Sequence, residues 1–122
     1  ISFLPAIIWM ALITYLSSRS QIPDLNQWFE NADKVVHFFT YFVLGLCIQF
    51  TILSNLKIKY SYVIILVIII GFAFAYIDEY HQSFVPGRDS SMDDFLADVL
   101  GILFSFILIK YLKSIIYRYL KV

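Results

Sequence analysis

The 122-residue chain lacks the residues on which several common kinds of site depend. Its only cysteine is Cys47, so neither an intrachain disulfide nor a site of several thiolate ligands is available. Neither a glycine-rich phosphate loop nor an HExxH metal-binding motif occurs. Only 15% of the residues are charged, and repeats and low-complexity tails are absent. These absences leave the apolar runs, and the polar residues at their ends, as the informative parts of the chain.

Apolar residues are abundant instead. They make up 61% of the chain, too many for one soluble core of this size. Four apolar runs cover residues 3–16, 35–53, 60–77 and 95–112, and a membrane span needs about 20 mostly apolar residues. We predict an all-α polytopic membrane protein with a single domain over residues 1–122. Its four transmembrane helices, at about 3–18, 34–54, 60–80 and 92–113, would form an antiparallel bundle.

The charged residues are unevenly distributed between the ends of these helices. One side of the predicted membrane bundle holds the turn near residues 56–59 and the C-terminus. The basic residues on this side are Lys57, Lys59, Lys110, Lys113, Arg118 and Lys121. All nine acidic residues fall on the opposite side, with only Arg19, Lys34 and Arg88 as basic residues. The positive-inside rule therefore predicts that both termini are cytoplasmic and that the acidic side faces outward. Nucleic-acid binding is not expected, because the basic residues face the inner surface and no binding motif occurs.

The start of the chain is also unusual, since it begins at Ile1 rather than at a methionine. No small-residue cleavage site follows the first apolar run, which argues against a signal peptide. We therefore expect a missing or trimmed N-terminus.

Polar residues at the outer ends of the predicted helices are the best candidates for a site. Ionisable groups at membrane depth cost roughly 2.5–3.5 kcal/mol each on insertion scales, so they usually face a protein interior or a site. The residues that we group as the polar cluster are Lys34, His37, Tyr41, Asp78, Glu79, His81, Gln82, Arg88, Asp94 and Asp98.

Helical spacing places these residues on shared faces. The sets are Lys34, His37 and Tyr41 on helix two; Asp78, His81 and Gln82 on helix three; and Asp94, Asp98 and Gly101 on helix four. Convergence of the three polar stripes would bury all of them. Lys34 would sit at the positive end of one helix dipole, and Asp78 and Glu79 at the negative end of another. We therefore predict that Lys34 pairs with Asp78 or Glu79.

Several of these residues also have structural interpretations. Asp33 and Asp93 are explained as favourable charges at helix starts. Capping of helix four is as good an explanation for Ser91 and Asp94 as a site. His37 is equally well explained as a hydrogen-bonding residue between helices.

Three kinds of chemistry are open to the polar cluster. A serine nucleophile with His37 or His81 as base would come from Ser17, Ser18, Ser90 or Ser91, but none lies in a nucleophile elbow. A metal site of His37, Asp78, His81 and Asp98 has no supporting ligand spacing, so we expect no metal. Lys34, Arg88 and the helix N-termini would suit a phosphate or carboxylate. The surrounding acids would repel an anion, which favours a zwitterionic or mixed-charge ligand.

An ordered set of motifs carries a family resemblance across nearly the whole chain. It reads Asp33-Lys34-x-x-His37-Phe38-x-x-Tyr41-x-x-Leu44-Gly45, then Asp78-Glu79-x-His81-Gln82-x-Phe84-Val85-Pro86-Gly87-Arg88, then Asp94-x-x-Ala97-Asp98-x-x-Gly101. In these residues the chain resembles the VanZ-like family of small bacterial membrane proteins. The resemblance implies a multi-pass protein of the bacterial cytoplasmic membrane, and it carries the polar residues over to this chain by position. Asp98 departs from the family pattern, which usually has Asn there.

The founding member of that family is linked to teicoplanin resistance, so the resemblance implies a role in the cell envelope. Our first hypothesis is that the outward-facing polar cluster binds or processes an envelope component, for example a lipid-linked or peptidoglycan-related molecule. The alternatives are a non-catalytic accessory subunit of a larger membrane complex and a small membrane hydrolase. The expected partners are membrane lipids, the envelope molecule or other membrane subunits; no cofactor is identified.

Overall fold

Four α-helices make up most of the computed structural model, which describes residues 3–19, 28–88 and 90–120, with side chains up to residue 114. They are α1 (Leu4–Ser17), α2 (Ala32–Asn55), α3 (Tyr60–Gln82) and α4 (Met92–Leu120). No strand occurs in these ranges, so the predicted all-α class is confirmed. α2 begins two residues before the predicted start, and α4 continues past the predicted end. Asp24, Asp89, Lys121 and the side chain of Arg118 lie outside the described residues.

Local signals fix most of the helix ends. Pro5 lies in the first turn of α1, where its missing N–H is not needed. Asn31 precedes α2 with a left-handed φ of 62°, and its side chain makes no capping hydrogen bond. Before α4, the Ser91 hydroxyl accepts a hydrogen bond from the Asp94 amide at 3.1 Å, which is half of the predicted capping box. The Asp94 carboxylate is thereby left for another partner.

Three helices are long and apolar enough to cross a membrane, namely 32–55, 60–82 and the 92–114 part of α4. α1 is apolar but has 14 residues, so it extends only about 21 Å. The hydrocarbon core of a bilayer is about 30 Å thick. Membrane character is therefore supported by three spans, and a complete crossing by α1 stays a prediction.

α2 and α3 each pack against all three other helices, and the most extensive contact in the bundle is that between α2 and α4. The buried core includes Leu44 and Ile48 of α2, Val67 of α3 and Ile102 of α4. Large apolar side chains also cover the outside of the helices, for example Ile69, which is 60% exposed. A surface of this kind suits lipid contact, because lipid tails are as apolar as the side chains themselves.

Small residues let α2 and α4 approach closely. A Cβ atom on Gly101 would collide with the Phe38 carbonyl oxygen and would lie 2.8 Å from the Phe42 amide nitrogen. A Cβ atom on Gly45 would collide with the Ser105 side chain. Gly45 and Gly101 are thus required at this crossing, as expected of small residues between membrane helices.

A polar link deeper in the bundle was not predicted. Gln49 donates a hydrogen bond to the Ser105 hydroxyl at 2.9 Å and accepts one from the Tyr60 hydroxyl at 2.8 Å. Gln49 and Ser105 are completely buried. The link therefore ties α2 to α3 and α4 within the apolar part of the bundle.

The close α2–α4 crossing predicts different results for two Gly→Ala substitutions. In Gly101→Ala the new methyl group meets rigid backbone, so we expect destabilisation by about 1–3 kcal/mol, as for other overpacked sites. In Gly71→Ala the methyl group meets only the end of the Ile102 side chain, which can rotate away. This variant should lose much less stability, and both gain helix propensity. Unfolding midpoints in detergent provide the measurement, and equal midpoints for the two variants would contradict the assigned crossing.

Candidate functional site

The polar cluster forms where the start of α2, the end of α3 and the start of α4 meet. The acidic and amide members from α3 and α4 are at most 6% exposed, namely Asp78, Glu79, Gln82, Asp94 and Asp98. Since each helix contributes one polar stripe, the bundle hides these groups from an apolar surrounding. The convergence expected from helical spacing is therefore present for these residues.

Lys34 pairs with the start of α4 rather than with the end of α3. Its Nζ atom lies 2.8 Å from Asp94 Oδ1 and 3.1 Å from Asp33 Oδ2. The predicted pairing with Asp78 or Glu79 is wrong. The reason is that the close α2–α4 crossing brings the first turns of these two helices together, and the Asp94 carboxylate is not used by the capping box.

His37 lies at the centre of a set of carboxylates. Its Nδ1 atom is 2.8 Å from Asp98 Oδ1 and 3.6 Å from Glu79 Oε1. Its Nε2 atom is 4.0 Å from Asp94 Oδ2. The imidazole thus bridges α2 to both α3 and α4, and its Nδ1–H hydrogen bond to Asp98 is the shortest of these contacts.

A second polar network lies between α1, α2 and α3. Asp78 accepts a hydrogen bond from the Tyr41 hydroxyl at 2.8 Å and a longer one from Gln82 Nε2 at 3.4 Å. Gln82 Nε2 also lies 3.3 Å from the Ser17 hydroxyl oxygen. Asp78 therefore has donors of its own, which explains why it does not need Lys34.

His81 and Arg88 lie apart from the buried groups and contact α1 instead. His81 is exposed, with Nε2 3.1 Å from Ser18 Oγ, and Arg88 Nη1 lies 3.4 Å from the Leu16 carbonyl oxygen. The Ser18 hydroxyl donates to the Thr14 carbonyl at 2.7 Å, so its single proton is already used. His81 then donates to Ser18, which is the arrangement of a link between helices and not of a nucleophile with its base.

Three buried carboxylate oxygens in the cluster lack a hydrogen bond of standard geometry from the described residues: both oxygens of Glu79 and Oδ2 of Asp98. Glu79 is 5% exposed and Asp98 is fully buried. Buried acceptors normally have partners, because an unsatisfied polar group costs about 1–3 kcal/mol and a charged one costs more. Around His37, three carboxylates (Glu79, Asp94 and Asp98) face one ammonium group. With all three carboxylates ionised and His37 neutral, the cluster has an excess of negative charge, and it has unused acceptors.

A cleft of about 200 Å³ connects this cluster with the outside of the bundle. It lies between the end of α3 and the start of α4 and is lined by Tyr76, Glu79, Tyr80, Ser83, Ser90, Ser91, Met92 and Phe95. Three of its eight lining residues are aromatic, and the Tyr76 and Phe95 rings are packed edge to face at 6.2 Å. Glu79 is the only cleft residue that also borders His37 at 3.6 Å. The cleft thus joins an apolar wall to a buried carboxylate.

These features define a helical membrane protein with a buried acidic cluster at one end of its bundle. The VanZ/LLP1 family model matches residues 3–116, and the chain belongs to that family. The resemblance based on the ordered motifs is thereby confirmed. No curated protein and no solved structure matches the chain.

The Lys34–Asp94 pair predicts a measurable coupling between two helix starts. Lys34→Met leaves the Asp94 carboxylate, whose side chain is 7% exposed, without its partner. We expect destabilisation by about 1–3 kcal/mol. The double variant Lys34→Met/Asp94→Asn should lose less unfolding free energy than the sum of the losses in the two single variants. The unfolding free energies of the four proteins in detergent give this coupling.

The matched control is the same cycle with Asp33→Asn. The Asp33 side chain is 30% exposed, and such pairs usually contribute about 0–1 kcal/mol. A coupling for Asp33 as large as that for Asp94, or no coupling for Asp94, would argue against the assigned pairing.

Proposed function

We propose that this protein binds an envelope amphiphile at the outer face of the bacterial cytoplasmic membrane. The observation that carries the proposal is the position of Glu79, a buried carboxylate that lines the cleft and accepts no hydrogen bond of standard geometry from the described residues. The Ser91 backbone also interacts with this carboxylate. An amphiphile has the matching two parts. Its polar head would meet the cluster, and its apolar part would lie against Tyr76, Met92 and Phe95.

The charge of the cluster favours a head group that carries a positive charge. Glu79 and Asp98 present unsatisfied oxygens, and the single ammonium group of Lys34 is already held by Asp94 and Asp33. A purely anionic ligand would meet repulsion at this depth, where charges are poorly screened. A zwitterionic head group, or an anionic one bound together with a cation, would neutralise the excess. The family resemblance adds glycopeptide resistance as a physiological setting for such binding.

The distribution of charge supports the outward orientation. Lys57 and Lys59 lie in the α2–α3 turn, at the opposite end of α2 from Lys34 and His37. Positive residues are retained on the cytoplasmic side. The polar cluster would then open toward the outer surface of the membrane.

Retention of a lipid by the purified protein tests the proposal. Native mass spectrometry of the detergent-purified wild type should detect a bound amphiphile of the host membrane. Glu79→Gln keeps the size of the side chain but removes the charge. We therefore expect at least about a tenfold higher Kd, equivalent to 1.4 kcal/mol, and a smaller bound fraction.

Glu30→Gln is the matched control, because it makes the same chemical change at an exposed position outside the cleft. It should retain as much amphiphile as the wild type. A wild type without bound amphiphile, or equal losses in both variants, would overturn the proposal. A wild type that is folded only together with another membrane protein would favour the accessory-subunit alternative.

Orientation is tested by labelling single cysteines. After Cys47→Ser removes the only native thiol, Glu30→Cys should react with a membrane-impermeant maleimide in intact cells. Lys57→Cys should react only after the membrane has been permeabilised, because the positive-inside rule places it in the cytoplasm. The reverse pattern would place the polar cluster on the cytoplasmic face and would refute the outward orientation.

A further inference from the structure

We propose that His37, Glu79 and Asp98 hold a divalent metal ion. One nitrogen and two carboxylate oxygens, one from each residue, lie within 4.8 Å of one another. Asp98 Oδ1 and Glu79 Oε1 are 2.8 and 3.6 Å from His37 Nδ1. Ligand atoms around a tetrahedral ion with bonds of about 2.0–2.2 Å are separated by roughly 3.4 Å, so small side-chain shifts would complete the site.

Unused lone pairs distinguish this site from an ordinary group of acids. Glu79 is 95% buried, and neither of its oxygens accepts a hydrogen bond of standard geometry from the described residues. Oδ2 of the fully buried Asp98 also accepts no hydrogen bond of standard geometry from the described residues. Buried ions are stable when they are paired or bind a metal. A dication would satisfy both carboxylates and would remove the excess negative charge.

The surrounding residues are arranged as they are around histidine metal ligands. With Nδ1 on the ion, His37 Nε2–H would point toward Asp94 Oδ2, now 4.0 Å away. Lys34 holds the other oxygen of Asp94 at 2.8 Å. Partners of this kind fix the orientation of a ligating imidazole and increase its basicity. Asp94 would therefore be a positioning residue, and Lys34 would position Asp94.

The ligand set indicates both the class of metal and an open coordination position. A ligand set of one imidazole and two carboxylates suits Zn²⁺, Mn²⁺ or Fe²⁺. Mg²⁺ and Ca²⁺ instead favour sites made of oxygen ligands alone. Three protein ligands leave at least one position for water or another ligand. Glu79 lines the cleft, so that position would be reached by a phosphate or carboxylate of a bound head group. This last step rests on the proposed function, whereas metal binding itself does not.

Helix packing explains why the sequence did not point to this set. The three donors come from α2, α3 and α4, one from each helix, so no local ligand spacing exists. The sequence-based candidates included Asp78 and His81, but Asp78 is bonded to Tyr41 and His81 contacts Ser18. Glu79 takes their place, and the earlier expectation of no metal is replaced by this proposal.

Metal titration of the full chain tests the site. The detergent-purified protein is stripped with a chelator and titrated with Zn²⁺ and, separately, Mn²⁺, and bound metal is measured by mass spectrometry and calorimetry. We expect one tight ion per wild-type chain. Glu79→Gln and Asp98→Asn should each weaken metal binding at least about a hundredfold, because each removes a ligand. Asp94→Asn should weaken it by about 10–100-fold, as is typical of residues that orient a metal ligand.

Asp93→Asn and Glu30→Gln are the controls, since both remove an exposed acid outside the set. They should bind metal as the wild type does. Co²⁺ substitution supplies a second readout, because its visible absorption reports nitrogen and oxygen ligation and should change in Glu79→Gln. Equal Zn²⁺ binding by the wild type and Glu79→Gln, or equal losses in the control variants, would overturn the metal site.

The same samples separate this proposal from the proposed function. Metal bound by delipidated protein supports the site whether or not an amphiphile is found. An amphiphile retained by chelator-treated protein that cannot rebind metal would refute the metal site and leave amphiphile binding standing.

Discussion

Where α2 and α4 cross, Gly101 leaves room for the backbone at Phe38 and Phe42, and this close contact determines how the rest of the polar end is arranged. Asp98 lies one turn before Gly101 on the same face of α4, so the crossing that accommodates Gly101 also places Asp98 against His37 at 2.8 Å. Ile102 and Ser105 continue the same face into the core and the Gln49 link. A shift of α4 by one residue would remove these contacts together, because residues on one helix face move as a unit.

Helix ends account for the way in which charge is balanced at the polar end. Asp33 and Asp94 lie in the first turns of α2 and α4, where the helix dipole stabilises negative charge. Glu79 lies in the last turn of α3, where its own helix disfavours it. Stabilisation must therefore come from neighbouring helices, and His37 in the second turn of α2 is the nearest basic group, at 3.6 Å. The bundle thus places Glu79, which the dipole of α3 disfavours, next to the N-terminal ends of α2 and α4, where helix dipoles favour negative charge.

Much of this arrangement could be predicted from the sequence, but the individual partners could not. Periodicity identified which side chains share a helix face, and these include His37, Asp78 and Asp98. Glu79 was a candidate only because it is an ionisable residue at a helix end. It does not fix how far each helix is rotated about its axis, and rotation decides whether Lys34 meets Asp94 or Glu79. Dipole arguments favoured Asp78 or Glu79, but the 2.8 Å contact made possible by close α2–α4 packing outweighed a dipole effect of about 0.3–1 kcal/mol. Gln49 and Ser105 were overlooked for a related reason, because a single polar residue in an apolar run does not reveal its partner.

A site assembled from one side chain on each of three helices exists only when the helices are packed. His37, Glu79 and Asp98 are separated by 42 and 19 positions along the chain, so this particular set of ligands is assembled only in the packed state. A ligand that binds only the packed state stabilises that state in proportion to the logarithm of its concentration. Without such a ligand, the Glu79 and Asp98 oxygens that accept no hydrogen bond of standard geometry from the described residues would oppose the packing that Gly101 permits. Cation binding at this end would therefore be coupled to packing of α2 against α4. The acids that would destabilise the bundle without a ligand are the groups that would make it selective for a cation.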